Sequence, residues 1–325
     1  MDSNILFLTT SNTKNRMNKS HMHRMDALAK HSCIKIEDIN MLTELEDNVS
    51  NYSTIILDQF CYCRSYYKPN ISLTEIERIL IKYKSLNDNN KVIMLFEDLH
   101  PITFLGGNKL IFESINKANP DIMVTHYECS EWDFIKNHIT NKQTQTVTIP
   151  HHINTEIYKD YNTEKKYDIF FYGCLDPIFY DFRLRLDKLF RRQKRGLNIR
   201  FFAHPGHQRY DPQKCDTNLA KMINSAWISI ATISKFSYLV GKYFEISACK
   251  TVIAGNINEQ GRQIWSKDDM IEINNDMTDD EILDILVEAL SDKNRLKNMS
   301  ERMYNKIRDN FNCDQYADKI VKLCN

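Results

Sequence analysis

Lys242 and Glu245 stand three residues apart in Gly241-Lys-Tyr-Phe-Glu-Ile-Ser-Ala-Cys-Lys-Thr-Val-Ile-Ala-Gly255, a stretch that otherwise reads as packed core. On a helix, residues at this spacing share one face, so an ammonium and a carboxylate would be presented together. Gly241, just before the lysine, would let a backbone approach a ligand closely, and a helix starting there would offer free N–H groups and a positive dipole end to an anion. Such a start is a ready phosphate site. The alternative is a solvated helical ion pair worth a few tenths of a kcal/mol. Spacing alone leaves both open.

Three further groups could do chemistry. Glu97-Asp98-Leu-His100 is the densest titratable cluster of the first half and follows an apolar run. A strand end facing a cleft can raise a carboxylate's pKa, or let a carboxylate orient a histidine as general base, which makes Asp98 and His100 the catalytic candidates. The structural alternative is that Asp98 caps the next turn and His100 only precedes Pro101. His21 and His23 flank Met22. Alternate residues point apart on a helix and no Cys or Asp completes a set, so a surface or capping role is expected there rather than a metal. In His204-Pro-Gly-His207 the central pair specifies a turn, again against a metal.

These residues need elements to position them. Asn4–Thr10, Tyr52–Asp58, Lys91–Glu97, Pro120–His126 and Thr146–Pro150 are short apolar runs that turn polar at their ends, as buried parallel strands do at the ligand edge of an α/β sheet. Leu73–Tyr83 is an amphipathic helix between two of them, giving a β–α–β alternation. The second half restarts the alternation. Tyr167–Gly173, Asn198–Ala203, Trp227–Thr232, Thr251–Ala254 and Met270–Ile273 read as strands, and Leu219–Ala226 as a helix. Thr278-Asp-Asp-Glu281 is a capping box opening a helix whose apolar spacing runs from Ile282 through Ile307. Cys313–Cys324 closes the chain as a helix.

The stretch 241–254 resembles the signature of nucleotide-sugar-dependent glycosyltransferases of the GT-B type, in particular the large group with Lys-x-x-Glu before a small-residue helix and a buried strand. The resemblance implies two Rossmann-like domains with parallel sheets facing across a cleft. The N-terminal acceptor domain would cover 1–155 and the C-terminal donor domain 156–325, with the final helix crossing back to the first. Ile149-Pro-His-His-Ile-Asn154 would mark the crossing. By the same resemblance Lys242 lies near the donor diphosphate, Glu245 binds the ribose hydroxyls, Gly173 and Arg183 border the phosphates, and His204 lies near the base. Ser237 and Tyr238 would offer hydroxyls to the diphosphate, and His21 or His23 would touch the acceptor. For Arg183 a solvated position beside Asp187, four residues on, is as open as the phosphate one. Two positions depart from the signature: Ser237 stands where many members carry another glutamate, and Lys250 where a glycine usually precedes the strand. The implied activity is transfer of a sugar from a nucleotide-diphosphate donor to an acceptor hydroxyl, without a metal and with retention of configuration. A non-catalytic GT-B-like module that binds a nucleotide sugar or a partner protein is the alternative.

Composition sets the outer bounds. The chain has 325 residues, 42% hydrophobic and 26% charged, with a formal net charge of zero. It is long enough for two domains, and nothing global suggests nucleic acid as partner. The basic run Arg191-Arg-Gln-Lys-Arg195 fits a solvated helix end. Nine scattered cysteines form neither a disulfide framework nor a zinc pattern, which favours a reducing compartment. No apolar stretch approaches the ~18 residues of a membrane span, and no basic leader opens the chain. A cytoplasmic protein is expected, with peripheral membrane contact left open because such enzymes often meet lipid-linked acceptors; the expected partners are a nucleotide sugar and a glycan, lipid-linked or protein acceptor. No cofactor is expected beyond the sugar nucleotide, which would be a substrate.

Overall fold

A computed structural model describes residues 4–10, 20–62, 70–99, 109–203, 211 and 213–325. His100 and His204 therefore lie outside the described residues. So does the segment 11–19 after the first strand. The described residues fall into two compact units, one drawn from 1–14, 25–150 and 316–325, the other from 15–24 and 151–315.

The first unit is built on a six-stranded sheet of β1 (Ile5–Thr9), β2 (Ile34–Asp38), β3 (Thr54–Leu57), β4 (Lys91–Phe96), β5 (Ile122–Thr125) and β6 (Gln145–Thr148). Its order is β2-β1-β3-β4-β5-β6 and every pairing is parallel. β1, β3 and β4 are near-continuous apolar runs because helices cover both faces; Ile5, Leu6, Phe7, Leu8, Ile55, Ile56 and Leu57 are all fully buried. Each such side chain contributes roughly 1.5–3 kcal/mol relative to exposure. The helix Leu73–Leu86 starts on Ser72, whose hydroxyl accepts from Glu75 N, and presents Ile76, Ile79, Leu80 and Tyr83 inward. β2, and the helices Lys109–Ala118 and Ser130–His138, are elements that the sequence reading passed over. β2 is an edge strand with one buried side chain, Ile34, and so lacks the apolar run that marks its neighbours.

The second unit carries a five-stranded sheet of β7 (Tyr167–Gly173), β8 (Ile199–Ala203), β9 (Ala226–Ile230), β10 (Val252–Gly255) and β11 (Ile271–Glu272), also all parallel, in the order β11-β10-β9-β7-β8. The chain runs from β7 outward to β8 and then crosses back to the other side of β7 at β9. In open α/β sheets such a reversal leaves a crevice outside the carboxyl ends of the two strands, and ligands bind there. Gly255 lets β10 lie against its neighbour: a Cβ there would meet the Ala231 carbonyl oxygen at 1.6 Å.

The α/β alternation read from the sequence is present in both halves. The Thr278 capping box is complete, with Glu281 N on the Thr278 hydroxyl and the Glu281 carboxylate on Thr278 N. The long apolar pattern behind it is two helices rather than one, Asp279–Ser291 and Lys293–Asn310, because the Asp292 side chain caps the second through Arg295 N. The basic run 191–195 is exposed yet paired. Arg191 meets Asp187, Arg192 meets Asp279, and Arg195 meets Asp280 and Asp284. The C-terminal end of one helix thus faces the acidic first turns of another, which suits both dipoles. Among the described residues, no helix is long and apolar enough to cross a membrane.

Candidate functional site

β7 ends in Gly173, and two buried cations converge on it. Gly173 has φ +114°, a conformation side chains rarely adopt, and a Cβ built there would lie 2.3 Å from Lys242 Nζ and 2.9 Å from Arg183 Nη1. Lys242 opens the helix Lys242–Ala248, and Arg183 projects from the helix Asp181–Arg192. Their relative exposures are 8% and 2%, which removes the solvated alternative for both. Asp187, the expected neighbour of Arg183, pairs with Arg191 instead.

Neither cation has a carboxylate partner among the described residues. Arg183 donates Nε to the Thr232 hydroxyl (3.1 Å), Nη2 to the Thr232 carbonyl (3.1 Å) and Nη1 to the Cys174 carbonyl (3.1 Å), while its guanidinium lies 3.9 Å from the Tyr180 ring centroid. Lys242 Nζ donates to the Tyr172 carbonyl and sits 3.8 Å from the centroid of the Tyr172 ring. Tyr172 and Cys174 lie at the end of β7 and Thr232 follows β9, so all three carbonyl anchors belong to the crevice between β7 and β9. Burial, with the charge of Arg183 beside it, holds the Lys242 amine well below the ordinary lysine range. Buried cations satisfied only by neutral acceptors retain a strong attraction for an anion, since charge-assisted hydrogen bonds gain in a low dielectric.

Glu245 lies one turn after Lys242 and is partly buried. Burial pushes its carboxyl above the usual carboxylate range, while Lys242 and the Tyr172 hydroxyl, 3.2 Å from Glu245 Oε2, pull it back. The helix start contributes less than the glycine suggested. The N–H groups of Phe244 and Glu245 already reach the Gly241 carbonyl, and that of Tyr243 the Val240 carbonyl. The helix has seven residues. Ser237 occupies the left-handed region at φ +57°, in a turn where the Ser234 hydroxyl accepts from Phe236 N and Tyr238 N. Asn258 Nδ2 holds the Ser237 carbonyl at 2.5 Å, and Tyr238 is buried.

The remaining candidates stand on other elements. Asp98 follows β4 in the first unit, where Gln59 Oε1 accepts from Glu97 N (2.6 Å) and Asp98 N (2.7 Å), Gln59 Nε2 donates to the Asp98 carbonyl (2.5 Å), and the Tyr127 hydroxyl approaches Asp98 Oδ1 at 3.5 Å. Beside it is a pair the sequence reading missed: His126 Nε2 lies 3.4 Å from Glu97 Oε2, and His126 Nδ1 donates to the Ile149 carbonyl at 2.8 Å. His21 and His23 are buried on the helix Ser20–Leu28, with His23 Nε2 3.7 Å from Asp216 Oδ1. Among the described residues no group of three or more His, Cys, Asp or Glu side chains could hold a metal ion. Tyr172, Tyr180 and Thr232 also went unnoticed as site residues. Their signal was only their place at strand ends or beside Arg183, and an aromatic in a strand reads as core.

No protein-family model matches the sequence, and no curated protein matches it. Solved structures do. Sucrose-phosphate synthase from Thermosynechococcus elongatus superposes with a TM-score of 0.63 at 11% identity, over 99% of this chain and 98% of that one. Anabaena HepE in complex with UDP and glucose gives 0.61 at 8% identity, over 99% of both chains. A glycosyltransferase from Rickettsia africae gives 0.57 at 12% identity, over 99% and 97%. Identities this low establish the fold, and the fold is GT-B, with two parallel sheets in an α/β architecture.

Proposed function

We propose that the chain is a glycosyltransferase that takes a sugar from a nucleotide-diphosphate donor and passes it to an acceptor hydroxyl. The observation that carries this reading is the convergence of Lys242 and Arg183 on Gly173 at the β7/β9 reversal, with Glu245 one turn further on. A diphosphate placed before Gly173 would draw both cations from their carbonyl acceptors, and Glu245 would accept from the ribose hydroxyls. His204, Ser237 and Tyr238 are assigned to the donor side.

In the reaction, the acceptor oxygen bonds to the anomeric carbon as the bond from that carbon to the diphosphate oxygen breaks. The bonding electrons leave with the nucleoside diphosphate, and the acceptor's proton passes to a base or to the departing phosphate. Lys242 and Arg183 stabilise the growing negative charge without calling on a metal. Retention of configuration is part of the proposal. Asp98 and His100 are assigned to the acceptor's proton, with the Glu97–His126 pair beside Asp98 as a second holder, and His21 and His23 to the acceptor. The acceptor is a glycan, a lipid-linked sugar or a protein, and the compartment is the cytoplasm, at or near a membrane surface. The likeness to HepE, whose structures hold UDP and UDP-glucose, supports a nucleotide sugar as donor class.

The test is a panel of UDP-, GDP- and dTDP-sugars, read by calorimetric binding and by release of the nucleoside diphosphate, with and without a chelator. Binding and release with one donor, unaffected by chelation, is the expected result. Binding to none of them overturns the reading. Binding without turnover across acceptors transfers support to the non-catalytic module, and strict loss on chelation overturns the metal-independent step.

A further inference from the structure

Tyr172 touches both residues on which the nucleotide reading rests. Its carbonyl accepts from Lys242 Nζ, its ring lies 3.8 Å from the same nitrogen, and its hydroxyl donates to Glu245 Oε2 at 3.2 Å. The residue itself cannot easily move. Its backbone is paired in the middle of the sheet, in register with Phe202 of β8, and its ring stacks on Phe170 with centroids 5.1 Å apart and planes at 29°. Lysine and glutamate three apart on a free helix would pair with each other. Among the described residues these two do not; each is held by a different part of one tyrosine.

We propose that Tyr172 is the positioning residue of this site, keeping the Lys242 ammonium and the Glu245 carboxylate apart and unpaired so that the phosphate and ribose ends of a nucleoside diphosphate are received together. The proposal rests on the nucleotide reading and deepens it. Without the phenol hydroxyl, Glu245 loses a fixed donor and turns toward the nearest cation, its own neighbour Lys242. The site would then neutralise itself. The groups facing Glu245 are Lys242 and Cys249 of its own segment, Tyr172 of β7, Cys215 and Asp216 at the start of the helix Asp216–Asn224, and Tyr158 before β7. Of these, Lys242 and Tyr172 favour the carboxylate, so a Glu245 released by the Tyr172 hydroxyl has Lys242 as the remaining group that favours its charge.

Tyr172→Phe keeps the ring and the carbonyl and removes the hydroxyl; Tyr172→Leu also removes the ring. In the free protein, the Glu245 side-chain carboxyl carbon is titrated by NMR. Its midpoint falls in Tyr172→Phe if the freed carboxylate pairs with the Lys242 ammonium, and a midpoint that rises or stays unchanged overturns the proposal whether or not any nucleotide binds. The second arm uses UDP and uridine by calorimetry. Tyr172→Phe is expected to weaken uridine by about tenfold, the loss of one hydrogen bond to a charged group, and UDP by more, so that their affinity ratio falls, because Lys242 is then paired with Glu245. Tyr172→Leu is expected to lower that ratio as well, because the lysine loses its aromatic seat. Affinities equal to wild type in Tyr172→Phe overturn the proposal. A wild type that binds neither compound removes the nucleotide reading for uridine nucleotides, while the free-protein titration still decides whether Tyr172 positions Glu245.

Discussion

Lys242→Met should make the ligand-free protein more stable while removing its affinity for a nucleoside diphosphate. The change keeps an unbranched apolar stem and deletes a buried ammonium. What is lost is a hydrogen bond from a charged group to the Tyr172 carbonyl, about 1.5–3 kcal/mol, and a cation–π contact with the Tyr172 ring, about 2 kcal/mol when desolvated. What is gained is relief of a desolvation penalty of several kcal/mol and of repulsion from Arg183. The balance favours methionine by ~1–2 kcal/mol, which for a domain of this size raises the thermal midpoint by roughly 2–8 °C. The pH dependence carries a sign. Lys242 titrates lower in the folded protein than its ordinary value of 10.5, so above its folded pKa the unfolded chain binds more protons and wild-type stability rises with pH. The advantage of methionine is therefore complete below the folded pKa and shrinks as pH climbs toward 10.5. Thermal midpoints at several pH values, with calorimetric titration of the preferred diphosphate, measure both effects. A variant less stable than wild type by 2 kcal/mol or more, or one that keeps its affinity within about threefold, would refute the reasoning.

Gly173→Ala places a side chain at φ +114° and within 2.9 Å of both cations, so it should cost about 1–3 kcal/mol in backbone strain and abolish diphosphate binding. Wild-type binding in a folded variant would show that the cations do not converge before this residue. Lys165 Nζ donates to the Ala226 and Lys250 carbonyls and the Thr251 hydroxyl, and burial pulls its amine down to about 8. That value lies below the ordinary 10.5, so its contribution makes stability rise as pH goes from about 8 to 10.5. Lys165→Met should remove that part of the slope in urea midpoints measured across the interval; an unchanged slope would contradict the shift.

How much the sequence disclosed followed from where the apolar residues are consecutive. β1, β4 and β7 are buried on both faces, so their composition alone marks them as parallel strands. β2 is half exposed at a sheet edge, so it did not announce itself. Lys242 and Glu245 were legible because a charged pair inside an apolar segment is unusual. Arg183 was ambiguous because a helical arginine with an aspartate four residues on fits a surface equally well; only the fold shows that Arg191 takes that aspartate. The Glu97–His126 pair joins residues from the ends of adjacent strands, a proximity created by sheet register that no local spacing encodes.

The first unit is assembled from separated pieces, the last of them residues 316–325. The Cys324 carbonyl accepts from Lys91 Nζ at 3.1 Å and from the Thr54 hydroxyl at 3.5 Å, so this segment closes over the starts of β3 and β4. Every residue of the second unit precedes position 316. During synthesis the residues of the second unit are therefore all made while the first still lacks 316–325. Domains commonly fold in the order they leave the ribosome. Here the first unit takes one of its pieces from 316–325, so it is complete only after every residue of the second has been made.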